Sequence, residues 1–284
     1  MTSIVTNPIL RERAKNTVHR NLGRLIVMEL IVAVLTAAAI LLPFLLFMSQ
    51  IKAAISNYQF ALLSSYAGDE LPALQPLATP ALLSVLMALA LSPLSMGLYK
   101  AHIDMARGLT PSYGTLFCRF PNMLGCIGLS LWITLKELLW MLPGFGTMFV
   151  LGFISIAAEA PLLSSITPFV SMVIILVCLI PASYRYYMAN YIFADDPSEG
   201  VFGAVDKSKG MMQFRKWQLF KLTFLFSLIS SIISNVIDQI SGSASSEAPA
   251  ALVIIGSLVA LAACTYLDFL IRMSHTHFYD AYRY

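Results

Sequence analysis

Near the C-terminal end of the chain, six polar residues interrupt an apolar stretch: Ser227, Ser230, Ser231, Ser234, Asn235 and Asp238. They recur at three- and four-residue spacing, which lines one face of a helix. If that face borders water, it offers a hydrated path or a set of solute contacts, with Asp238 as the ionisable group. If it borders another helix, the same residues are packing groups, because Ser and Asn bond between helices in lipid. Gly256, Ala260 and Cys264, small residues four apart, would supply the matching surface. The sequence leaves both readings open.

A second pair able to do chemistry is Lys136 and Glu137, inside another apolar run. A charge at mid-membrane costs about 2.5–3.5 kcal/mol on insertion scales, so placement there would be functional. If the helix begins near Leu131, both groups instead reach the interface. Sequence neighbours diverge around a helix, so the two are not obvious partners. Glu29 and Asp268 each fall within about two turns of the same end and are expected to be solvated there.

The third set is cationic. Arg185 stands among Tyr184, Tyr186, Tyr187 and Tyr191, and Lys207, Lys209, Arg215 and Lys216 follow it. Arg among aromatic-belt tyrosines reaches for headgroups, and a juxtamembrane basic cluster attracts anionic lipid. His275 and His277 are two apart and do not share a helical face; with no further Cys or His nearby they make no metal site. His102 and Asp104 are equally weak. No nucleophile elbow, zinc-protease motif or phosphate-binding glycine loop occurs, so neither catalysis nor a cofactor is expected. The basic segments lie against membrane, which argues against nucleic acid as a partner.

The elements that must position these groups follow from composition. The chain has 284 residues, 58% hydrophobic and 12% charged. A soluble domain of this size cannot hide so much apolar surface. The apolar residues come in runs long enough to cross a bilayer as helices, since about twenty residues span about 30 Å. The expectation is an all-α, polytopic transmembrane bundle of six spans. They are Leu25–Met48, about Pro80–Lys100, a long stretch from Pro121 to Ala157, about Ile166–Tyr191, Trp217–Ile240 and Ala250–Ile271. The first run is too long for a signal-peptide core and reads as a retained span. Pro143-Gly144 breaks or kinks the third span, or else ends it near Leu142 before a re-entrant piece. The four cysteines read as small buried residues.

Of eighteen Lys and Arg, all but Lys52 and Lys136 fall on one side of this map. Cytoplasmic loops carry such an excess, so both termini are expected to be cytoplasmic. Residues 1–24 read as a basic amphipathic lead into span one, with Leu10, Ala14, Val18, Leu22 and Leu25 on one stripe. Residues 192–216 read as a cytoplasmic amphipathic helix, begun by Asp196-Pro197-Ser198-Glu199 as cap, first-turn proline and capping-box acid. The chain is expected to be one integral membrane domain, 1–284, touching anionic headgroups; a protein partner or a second copy is the other candidate occupant.

Four stretches together carry a resemblance: SLWITLKELLWMLPG, IPASYRYYMANYIFADDP, SKGMMQFRKWQLFKLTF and the closing FYD. They resemble an uncharacterised bacterial family of polytopic membrane proteins, domain of unknown function 975, over about Pro93 to Asp280. Ser208, Met212, Lys216, Trp217, Phe220, Leu222, Phe278, Tyr279 and Asp280 fit its pattern, with Lys209 for Arg. Phe214, Leu225 and Ile229 depart from it, standing where Gly, Ser and Trp are common. The resemblance implies a multi-pass protein of a bacterial cytoplasmic membrane and brings no catalytic residues.

Overall fold

A computed structural model describes residues 5–53, 55–56, 75–243 and 250–283, with side chains over the same ranges except 75–77, 236–243 and 250–255. All regular structure among them is helical, and six helical stretches are long and apolar enough to cross a membrane. In hydrocarbon a helix satisfies its own backbone, which is why these runs take that form.

The first crossing is α1 (Asn7–Leu46), started by Pro8 in its first turn. It kinks at Asn21, where φ and ψ are −121° and 15°. There the Asn21 side-chain amide donates to the Thr17 carbonyl at 3.2 Å, competing with the backbone ladder. The chain returns through α2 (Gln75–Ala90) and α3 (Ser92–Ala106), which together make one crossing bent at Leu91. Two short 3₁₀ turns, Tyr113–Phe117 and Phe120–Asn122, lead into α4 (Met123–Ala157). A tight turn with Glu159 at φ +46° then starts α5 (Pro161–Tyr186). Helix α6 (Ala189–Asp195), a 3₁₀ turn at Pro197–Glu199 and α7 (Gly200–Met212) come next. Helices α8 (Lys216–Ser243) and α9 (Ala250–Tyr282) complete the bundle.

The apolar stretch from Met123 to Ala157 is one helix carrying Pro143 inside it, and not a span ending near Leu142 with a re-entrant piece. Gly144 marks a close approach to α5: a Cβ there would run into Ile175 and sit 3.0 Å from the Ser171 carbonyl.

Packing is uneven along the bundle. The spans associate as antiparallel neighbours, α4 along α5, α8 along α9, and α1 along both α2 and α9. No span buries more than 33% of its most apolar window inside the protein. Large apolar side chains such as Phe149 and Phe153 stand outward, as a lipid-facing surface requires. At the end where α1 begins and α9 finishes, the chain packs tightly. Leu10, Ile103, Tyr191, Phe193, Met212 and Phe278 are buried there in one cluster. The stripe Leu10, Ala14, Val18 and Leu25 of α1 is fully buried, so the N-terminal segment docks into this layer.

Gly144→Leu should lower the thermal unfolding midpoint in detergent, by overpacking worth about 1–3 kcal/mol. Gly146→Leu should not, because a Cβ at Gly146 meets nothing within 4 Å. Equal melting of the two variants would show that α4 and α5 do not depend on this approach.

Candidate functional site

The packed end is organised by one carboxylate. Asp195 closes α6, its side chain 11% exposed. Arg107, just past α3, holds it with two parallel bonds, 2.9 Å to Oδ1 and 2.7 Å to Oδ2. Lys100 reaches Oδ1 at 3.2 Å, Arg283 reaches Oδ2 at 2.9 Å, and the Tyr279 hydroxyl donates to Oδ2 at 3.2 Å. Arg107 also bonds Asp280 at 3.0 Å. Burial works against the Arg107 charge, but the bonds to Asp195 and Asp280 outweigh it and hold its pKa above the ordinary value. Arg119 donates to the Ala194 and Asp195 carbonyls, satisfying the end of α6. Three helices distant in sequence are thus tied at one point.

A second polar group lies deeper. Glu29 of α1 stands 3.4 Å from Arg272 of α9 and 3.5 Å from His102 of α3. His102 is 1% exposed, and neither of its ring nitrogens has a hydrogen-bond partner among the described residues. His275 is also buried, with its ring nitrogens 2.8 Å from the Tyr187 hydroxyl and 2.7 Å from Thr223. His277 meets Thr17 at 2.9 Å. His275 and His277 are therefore joints between helices, and no cluster of His, Cys, Asp or Glu suited to a metal occurs among the described residues.

The polar stripe of α8 borders a groove of about 350 Å³ lined by Ser227, Ser230, Ser231, Ser234 and Asn235, with Asp268 and Ile271 of α9 opposite. Ser234 and Cys264 lie 3.8 Å apart, and Asn235 donates to the Ser231 carbonyl at 2.7 Å. The side chain of Asp238 falls outside the described residues.

Lys136 and Glu137 are not paired with each other. Lys136 lies over the Trp132 ring at 4.6 Å and close to Asp206 of α7, while Glu137 faces Ser183 of α5.

In the 192–216 segment, Asp196 does cap, accepting from the Ser198 N–H at 3.0 Å and its hydroxyl at 2.6 Å. These bonds hold its carboxyl below the usual range. They close one 3₁₀ turn, and Gly200 at φ +68° then resets the backbone for α7. Glu199 pairs with Lys207 instead of reaching back to the cap. The inner face of α7 is set by Ala204, Val205, Ser208 and Met212, all buried, with the Ser208 hydroxyl 2.9 Å from the Arg185 carbonyl. That face is docked on protein. Lys209 pairs with Asp206, and Arg215 lies 4.3 Å over Tyr282. Lys216 and the Arg185 guanidinium have no protein partner among the described residues.

Sequence reading missed the Asp195 hub and the Glu29–Arg272–His102 group. The second left one trace, an acid (Glu29) about a turn inside one apolar run and a base (Arg272) just past the end of another on the same side. The first left none, since its partners are about ninety residues away along the chain.

Lipid-facing spans tied at one end by part-buried ion pairs define a multi-pass helical membrane protein. The family described as "Protein of unknown function (DUF975)" matches residues 29–279, and the chain belongs to it. The match takes in the first two spans as well as the motifs from Pro93 onward. No curated protein and no solved structure matches the chain.

Asp195→Asn would leave Lys100, Arg107 and Arg283 facing one another around a neutral amide. Breaking such a part-buried set should cost about 1–3 kcal/mol, read as a lower unfolding midpoint in detergent. Asp206→Asn, on the exposed face of α7, should leave the midpoint unchanged. If both variants melt like the parent, Asp195 is not the tie between α3, α6 and α9.

Proposed function

We propose that this protein is a non-catalytic membrane protein that holds anionic lipid at the face where its basic residues gather, and that this face is cytoplasmic. The reading rests on one observation: cations without protein partners among the described residues border the apolar spans at that end. Lys15, Arg20 and Arg24 are exposed on α1 immediately before its lipid-facing residues begin. Lys216 opens α8 just before the exposed Trp217. Lys207 and Lys209 sit close by in surface ion pairs, which are weak enough for a headgroup to compete with. Cations placed this way lower the energy of acidic headgroups without any enclosed pocket.

The test is native mass spectrometry of protein taken from vesicles of equal phosphatidylglycerol and phosphatidylcholine. The parent chain should retain the anionic lipid preferentially. Each basic residue near such a surface is worth about 1 kcal/mol, so Arg20→Gln, Arg24→Gln and Lys216→Gln together should cut that preference roughly tenfold or more. A parent chain that retains both lipids equally would overturn the proposal.

A second reading, passage of a small solute, is favoured by the groove along Ser227, Ser231 and Ser234 with Asp268 facing it. On that reading Asp268→Asn slows solute flux in reconstituted vesicles while melting is unchanged; flux equal to that of empty vesicles for the parent chain sinks it.

A further inference from the structure

Between α5 and α8, which touch only briefly, runs a second groove of about 440 Å³. Its α5 wall is Val173, Val177 and Ile180, all well exposed. Its α8 wall is aromatic. Trp217 and Phe220 stack at 5.0 Å and 10° between planes, and Phe224 continues the stack at 5.3 Å. Tyr184 closes one end edge-on to Phe220, at 5.9 Å. Lys216 stands at that same end. The α5 wall from Val173 to Pro181 is about 12 Å long at the helical rise.

We propose that this groove binds one acyl chain of an anionic glycerophospholipid, with the phosphate on Lys216. This rests on the reading that the basic face holds anionic lipid, and it names where on the protein and by which part of the lipid. Both walls belong to membrane-crossing helices, so the occupant enters from the bilayer and not from water. The lining is apolar until the Lys216 end, and an amphiphile with an acidic head matches that order: chain on Val173–Pro181, head at the interface. Aromatic rings such as Trp217 and Tyr184 sit by preference at that depth.

Trp217 reports on the site directly. With Trp132→Phe and Trp140→Phe it becomes the sole tryptophan of the three. Its fluorescence should be quenched by phosphatidylglycerol with brominated chains at a mole fraction at least about threefold lower than by brominated phosphatidylcholine. Lys216→Gln should erase the difference. Equal quenching by the two lipids would mean only ordinary boundary lipid lies there, and no quenching by either would mean that protein, such as a second copy, covers the groove; each overturns the proposal. If anionic lipid is still retained preferentially in native mass spectrometry while Trp217 shows no preference, the groove assignment fails and the broader reading stands. If both preferences are absent, both fail. As a check free of tryptophan substitution, phosphatidylglycerol with a photoreactive acyl chain should label peptides spanning 173–181 or 217–224 of the unaltered chain. Labelling spread evenly over α1 and α4 would overturn the proposal.

Discussion

Hydrocarbon tolerates a self-satisfied helix and little else, and the arrangement of this protein is set by where its charges can be put. Ion pairs cost least where water or headgroups are near and where several partners share one site. Asp195 meets that condition by accepting from Lys100, Arg107, Arg283 and Tyr279 together. Because those donors come from α3, the turn after it and the end of α9, the same bonds that neutralise the carboxylate also fix where three helices end. The spans beyond it are freer to face lipid because they are already registered at one end.

That division explains the uneven packing. In lipid, apolar side chains gain nothing from meeting each other in place of acyl chains, so spans associate through shape and polar contact. Phe149 and Phe153 of α4 can therefore stand outward at no cost. In the charged layer water is the alternative, and burying Leu10, Phe193 and Phe278 carries the usual hydrophobic gain. Two physical regimes act along the same helices: α1 is buried along a stripe up to Met28 and exposed over most of its remaining turns.

The spans are legible in sequence because long uncharged runs admit one solution in a bilayer. The side-by-side crowding of cations is legible for the same reason. The course of 121–157 is ambiguous in sequence because Pro143-Gly144 serves equally as a terminator or as an internal proline; the structure carries one helix through it, with Gly144 close against α5. Asp196 is recognisable as a cap from its neighbours alone. The positive φ of Gly200, which limits that cap to one turn, has no local signature that distinguishes it from an ordinary helical start. Val201, Val205, Met211 and Met212 point to an apolar face on α7 but not to its occupant; Val205 and Met212 are buried against protein. Asp195 is beyond reach, since a hub assembled from residues so far apart in sequence leaves no spacing to read.

Helix α8 shows how one face can serve two environments. Trp217, Phe220, Phe224, Ser227, Ser231 and Ser234 continue a single three-and-four spacing, so the face changes from aromatic to hydroxyl along its length. The aromatic part lies towards the charged end, against α5, where the groove is apolar. The hydroxyl part faces α9, where Asp268 needs polar company. A serine in lipid is tolerable because its hydroxyl can turn back to its own helix, as Thr223 does to the Leu219 carbonyl at 3.1 Å. An aspartate has no such recourse and must keep a hydroxyl, an amide or a cation within reach. Asp268 lies across the groove from the serine row, and Arg272, one turn along, faces Glu29. The polar stripe and Asp268 share one groove, so any solute using it would meet hydroxyls on one wall and a carboxylate on the other.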